Sequence, residues 1–306
     1  MATSRIKGTN EQISTYGTGG RDYTSLSVWE SATDNNLVSL AESEVLECYN
    51  DATFNDSVTM SGAITDSSYF RIIRPAGTIG TGSWQGHDGI ADSTTGVFFD
   101  NTVDDEAIDC GDAYSSIQDL KIRCTNPTTS NRITMIADGG ESSIIGCIIF
   151  DCTNTNGSHR GIRVDGNGTS GYYINSFALR TDLWGMQGNG DNAYFYNCNA
   201  IDNGNDGFLY SGGVIIAKNC LATGNDAGAG DDFDPGTYTG STNNASGDLT
   251  APGTSPRISQ TFTFINAGAG DYHLSPSDAG AHTFGADLSA DGVFPFDDDI
   301  DGDTRS

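Results

Sequence analysis

Hydrophobic and polar positions alternate along this chain in short runs. Each run ends in a cluster of Gly, Asn, Asp, Ser or Thr. Such runs read as strands separated by turns. They fall at 45–49, 57–60, 69–74, 96–99, 117–124, 133–137, 144–152, 161–164, 172–179, 193–200, 207–210 and 214–221, with a last one at 261–265. Between 117 and 221 a long run, a turn, a short run and a turn repeat in that order. Tight two-residue turns of the kind that close antiparallel hairpins are not the pattern here.

The pattern also repeats in residue identity. Ser115-Ser116-Ile117 leads into Cys124-Thr125-Asn126, and Ser142-Ser143-Ile144 leads into Cys152-Thr153-Asn154. The first pair is offset by 27 residues (115 to 142) and the second by 28 (124 to 152), so one residue is inserted inside the later strand. Asn197-Cys198 returns as Asn219-Cys220, 22 residues on. Like strands recurring at 22–29 residues predict parallel stacking of supersecondary units. The expected fold is all-β: a right-handed single-stranded parallel β-helix (solenoid) of roughly eight coils with a short N-terminal helical cap.

Alternation predicts facing within a strand. Leu120, Ile122 and Cys124 share an inward face, with Lys121 and Arg123 opposite. The same register places Ile148, Phe150 and Cys152 inside and leaves Cys147 and Ile149 outward. An apolar outward face predicts an interface, and three flat faces about one axis predict a homotrimer. Lys218 and Cys220 fall on one face unless a bulge intervenes.

Five segments follow. Residues 1–21 are a polar arm carrying Arg5, Lys7 and Arg21, suited to docking on an acidic shell. Residues 22–35 hold the helical cap, with Thr24 or Ser25 as N-cap and Leu26, Val28, Trp29 and Ala32 along one side. Residues 36–233 form the β-helix, 234–258 a Gly/Ser/Thr/Asn/Pro-rich linker, and 259–306 a closing segment with an acidic tail.

Charge narrows the partners. With 14 basic and 41 acidic residues the formal charge is −27. Such a surface repels phosphate backbones and anionic lipid, so neither nucleic acid nor membrane is expected as a partner. No run of about 18 apolar residues is present to span a bilayer, and the first residues show no secretory h-region. Seven cysteines without a CxxC predict free thiols packed in the coils.

Candidate chemistry is sparse. Asp297, Asp299, Asp301 and Asp303, with Gly302, match the first half of a calcium loop, so Ca²⁺ is the one cofactor the residues point to. Asp231 and Asp232 form an acidic pair of the kind that can serve as acid and base, and His159 is the candidate histidine to accompany them. His87, His273 and His282 complete the histidines, none at metal-ligand spacing. Tyr172, Tyr173, Trp184, Tyr194 and Tyr196 are aromatics able to stack on a sugar ring, with packing in the core or in an interface the favoured reading for most of them.

Several passages resemble the right-handed parallel β-helix group, and in particular virion proteins of tailed bacteriophages. They are Gly19–Ala32 at the start, 193–200 with 203–208, 217–222, and 264–276. The resemblance covers most of residues 19–303. It implies a virion structural protein, a capsid-decorating protein or fibre assembled in the host cytoplasm, without enzymatic activity. Its alternatives are a polysaccharide-binding or -degrading tailspike, or a secreted lyase or hydrolase, and a bacterial surface adhesin. Compared with β-helix glycoside hydrolases, Ser158-His159-Arg160-Gly161 precedes the aspartates rather than following them, and no Arg-x-Lys comes after. Compared with pectate lyases, Arg160, Arg163 and Arg180 near Asp165 and Asp182 supply ingredients only.

Overall fold

The computed structural model describes residues 4–102, 106–125, 133–137, 141–153, 159–225 and 230–305. Asn126, Asn154, Ser158 and the side chain of Asp165 lie outside the described residues. The chain is mostly parallel β-sheet with few helices. Its strands stack in three columns, and the chain visits the columns in the same order on each pass.

The first column holds Glu11–Tyr16, Ser43–Cys48, Arg71–Pro75, Ser115–Gln118, Ser142–Ile145, the second halves of Arg160–Ile174 and Met186–Tyr196, and Val214–Lys218. The second runs from Thr53–Phe54 through Phe98–Asn101, Lys121–Cys124, Ile148–Phe150, Phe177–Leu179, Asn199–Ile201 and Leu221–Thr223 to Ala245–Ser246. The third holds Val58–Met60, Ile108–Cys110, Ile133–Ala137, the first halves of Arg160–Ile174 and Met186–Tyr196, and Phe208–Tyr210. All these pairings are parallel. Phe264–Asn266 and Asp271–Leu274 pair antiparallel, outside the columns.

The expected single strand at 117–124 is two strands meeting at a corner. Asp119, Gly146, Asn175, Asn197, Asn219 and Asn243 occupy that corner in successive coils, all with φ between 51° and 63°. Asn and Gly adopt this left-handed conformation at least cost. The corner side chains also stack: Asn197 Nδ2 donates to Asn175 Oδ1 and Asn219 Nδ2 to Asn197 Oδ1, each at 3.0 Å. This ladder is the origin of the Asn-Cys repeat.

The corner corrects the expected facing. A left-handed residue breaks alternation, so Cys147 and Ile149 point into the core with Cys152, while Ile148 and Phe150 point out. The inserted residue is Asp151. Its φ of 50° makes it a second corner, shared later by Arg180, Asp202 and Gly224. Asn219 likewise separates Lys218, facing out, from Cys220, facing in. The premise for the trimer, an outward Cys147 and Ile149, is therefore removed.

Just inside the first corner stand Cys147, Ser176, Cys198, Cys220 and Asn244. Each donates to a backbone carbonyl of the preceding coil: Cys198 to Tyr173 at 3.3 Å, Cys220 to Phe195 at 3.1 Å, Asn244 to Ala217 at 2.8 Å. The thiols fill a ladder position that needs a small donor. All seven cysteines are free and buried. Further in, rings stack coil on coil, Tyr173 on Phe195 at 5.0 Å and Phe208 on Phe233 at 4.7 Å.

Helix α1 (Leu26–Ala32) buries Leu26 and Trp29 against this core. Neither Thr24 nor Ser25 caps it by side chain; Asp56 Oδ2 accepts from the Leu26 amide at 2.8 Å instead. A second helix, α2 (Leu37–Leu40), follows, its Ser39 amide donating to Asn36 Oδ1.

The segment expected as a linker carries Ala245–Ser246, which continues the second column, and bridges at Thr254 and Arg257 extend the stacking. The chain then turns back along its own outer face. Tyr272 and Ile300 lie with Ile148, Phe150, Phe177, Leu179, Ile201 and Leu221. Leu288 and Phe296 cover Ile145, Ile174 and Tyr196. We call residues 281–305 the strap. Its backbone is held by the corner asparagines: Asn243 Nδ2 donates to Phe284 O, Asn219 Nδ2 to Ala286 O and Asn175 Nδ2 to Asp298 O. Asp298 also pairs with Arg5, 2.9 Å away, and Arg5 in turn with Asp119 at 2.7 Å. The N-terminal arm is thus not free. Arg5 lies between strap and corner, Glu11–Tyr16 is the first strand, and Arg21 pairs with Asp51 over the Tyr49 ring. Among the described residues no helix is long and apolar enough to cross a membrane.

Candidate functional site

At the second corner a further internal ladder runs through the stack. Thr181 donates to Asn203 Oδ1, Asn203 Nδ2 donates to Asn225 Oδ1 at 2.8 Å, and Asn225 Nδ2 donates to Asp232 Oδ1 at 2.8 Å. Asp232, one of the expected acids, is the terminal acceptor. Its other oxygen accepts from the Gly247 amide at 2.7 Å and the Asp248 amide at 3.2 Å. Asp248 reciprocates, its Oδ2 accepting from the Asp232 amide at 2.9 Å. Thr250 holds its Oδ1 through both amide and hydroxyl.

This clasp borders a cleft of about 420 Å³ lined by Asp202, Asp232, Asp248, Gln260, Phe264 and Tyr272, among others. Burial pushes the Asp232 carboxyl above its ordinary range against the Asn225 hydrogen bond, and the Asp248 charge adds to the rise. Burial also raises Asp202, opposed by Tyr272 and Arg180. At Asp248 burial is outweighed by hydrogen bonds from Thr250 and the Asp232 amide, which hold it low. Carboxylates pushed apart in this way are what acid–base chemistry requires. In this structure both oxygens of Asp232 and of Asp248 face donors of their own chain.

The other expected partners are not brought to the cleft. His159 is fully buried, its Nδ1 against Cys124 O at 2.8 Å. Its carbonyl is bonded by Leu183 one coil on, and Leu183's by Asn205 the coil after. Asp231 lies a further coil along, bonded to Gly207 and Asp206. Three coils at roughly 4.8 Å each separate His159 from Asp231 by about 14 Å. Asp231 instead neighbours Asp206 and Asp234, and Asp234 is raised by burial, then by the charges of Asp206 and Asp231. Arg160 packs over Trp184 at 4.0 Å. Arg180 pairs with Asp151 and Asp92 and reaches the Tyr272 hydroxyl. Tyr173 and Tyr196 are buried; Tyr172 and Tyr194 stack at 5.0 Å on the outer face, half-buried beside Phe294.

The tail aspartates are also engaged by the chain. Asp299 Oδ1 accepts from the Asp301 and Asp303 amides at 3.0 and 2.9 Å. Asp301 pairs with His273 Nε2 at 2.9 Å, and Asp271 takes the other ring nitrogen at 2.7 Å. The Asp297 carbonyl accepts from the Arg305 amide. Among the described residues no three His, Cys, Asp or Glu side chains are arranged to hold a metal ion.

Hydrogen bonding to Asp301, against burial and with help from Asp271, pushes the His273 pKa up to about 9 from an ordinary 6.5. The stabilisation this gives is complete below about pH 6.5 and is lost as pH rises through about 9. The wild type is therefore expected to melt above His273→Gln at pH 6, with the gap closing by pH 10. A gap that stays constant across that range refutes the charged triplet.

No family model, no curated protein and no solved structure matches this chain. Sequence reasoning found Asp232 but missed Asn225 and Asp248, which donate to it. The available signal was the 22-residue offset of Asn203 and Asn225, equal to that of Asn197 and Asn219.

Proposed function

We propose that this chain is a non-enzymatic structural module: a closed, right-handed parallel β-helix, capped by α1, that serves as a rigid surface element of a larger assembly. A virion of a tailed phage, with the chain as decoration or fibre, is the assembly that the sequence resemblance favours. The observation that carries the non-enzymatic reading is the use of Asp232. The candidate acid terminates a hydrogen-bond ladder and fastens residues 247–248, with His159 about three coils away.

Two measurements test the reading. Incubation with neutral and acidic polysaccharides is expected to release no reducing ends and no unsaturated products. Asp232→Asn is expected to lower the melting temperature rather than any activity, since it leaves buried amides poorly matched. Product release that disappears in Asp231→Ala or Asp232→Asn overturns the proposal. Peptides of the chain in purified particles from its source would support the virion assignment, and their absence from such particles would refute it.

A further inference from the structure

Beside the strap-covered rows, the outer face of the second column opens into another cleft of about 420 Å³. Asn50, Asp92, Ser93, Phe98, Lys121 and Arg123 are among its lining residues. Register stacks Thr53, Phe98, Lys121 and Ile148 in successive coils along this face. Phe98 and Phe150 stack at 5.5 Å and form an aromatic wall.

Lys121 is the unusual member. It is one of three lysines, and it is 1% exposed. Its ammonium donates to the Ser93 carbonyl at 2.6 Å and meets the Ser93 hydroxyl at 3.3 Å. Among the described residues no carboxylate lies within ion-pair distance of it. Arg5, Arg71, Arg74, Arg180 and Lys218, by contrast, each face an aspartate or glutamate. The two acids nearest in field are committed elsewhere. Asp92 pairs with Arg180 at 2.7 Å, and Asp88 accepts from the Ser93 hydroxyl and the Ile90 amide. Burial pushes the Lys121 ammonium below its ordinary range, with Asp88 and Asp92 opposing.

A buried cation without a counter-charge is costly to a fold. One that lines a cleft is compensated when an anion enters. Arg123 stands beside it; it gives Nε and Nη2 to Asp100, and its Nη1 makes no hydrogen bond to the described residues. The volume lies within the roughly 300–1,000 Å³ of small-molecule sites. We propose that this cleft binds a small organic carboxylate, with the Lys121 ammonium as counter-ion, Arg123 as second donor and the Phe98 ring against the ligand's flat apolar face. The inference is independent of the structural role proposed above.

Benzoate is the probe, with inorganic phosphate at matched ionic strength as the comparison. Benzoate is expected to raise the wild-type melting temperature in proportion to the logarithm of its concentration, and calorimetry is expected to find one site. Phosphate should give a much smaller rise, because it has no face for Phe98. Lys121→Met is expected to melt at or above the wild type without ligand and to lose the whole benzoate response. Phe98→Ala provides a second variant, expected to keep the fold and to weaken benzoate binding toward the phosphate level. No benzoate response in the wild type, an undiminished response in Lys121→Met, or equal responses to benzoate and phosphate would each overturn the assignment.

Discussion

Arg71→Ala is expected to destabilise the protein by about 3–5 kcal/mol, the cost of removing one partner from a buried ion pair. Arg71 is fully buried between α1 and the first column. Its Nη1 lies 2.8 Å from Asp112, and its Nη2 donates to the Glu30 carbonyl and the Thr33 hydroxyl, each at 2.9 Å. The guanidinium also sits 4.9 Å from the centre of the Trp29 ring. One side chain therefore joins the helix to the stack. Without it, Asp112 keeps, among the described residues, only the Ala63 amide as a donor to its carboxylate and becomes an uncompensated buried charge. Urea denaturation reads the effect as a shift in midpoint at unchanged slope. The double variant Arg71→Met/Asp112→Leu should recover much of the loss, since apolar groups of similar volume can replace a buried pair. A loss below about 1 kcal/mol, the value of an exposed pair, would refute the anchoring role.

Removal of the strap is expected to turn the protein into a self-associating one. Truncation after Gly280 uncovers Ile145, Ile174 and Tyr196, which Leu288 and Phe296 now bury. Tyr172, Tyr194 and Ile216 border the same patch. Aromatic side chains bury about 150–250 Å² each, so the exposed area passes the few hundred Å² that monomeric proteins usually tolerate. The truncation also deprives Arg5 of Asp298 and the corner asparagines of their backbone partners. Sedimentation velocity should show the truncated chain associating with rising concentration under conditions where the full chain does not. Leu288→Asp should do the same to a lesser degree. A truncated chain that sediments unchanged would mean that the strap is not the cover of this face.

Particular residues show why the outer face was misread. Strict alternation from Ile144 to Cys152 puts Ile148 inside and Ile149 outside. Left-handed Gly146 reverses that assignment, and left-handed Asp151 restores it at Cys152. Nothing local marks Gly146 as a corner; the Asn at the same position in later coils does so once the coils are aligned. The misreading made an outward face apolar and called for a second copy of the chain. The true outward residues, Ile148 and Phe150, are also apolar, and the chain covers them with a segment more than 100 residues away. Asp232 shows the same limit at the candidate site. Its type and its neighbour Asp231 are legible, but of its partners Asn225 lies seven residues back, and Gly247 and Asp248 come from the next pass of the chain.

The sequence by itself determined the local grammar: short alternating strands, turn residues between them, a repeat of 22–29 residues, and hence parallel stacking with few helices. These follow from side-chain period and backbone preference, which act over a few residues. The tertiary structure alone decided which face is inside, what covers the outside, and which donors a buried carboxylate meets. Each of those depends on a contact between residues distant in the chain. A single left-handed residue inverts facing for every position after it until the next corner, and a buried carboxylate's role is set by whichever donors the neighbouring coils bring to it.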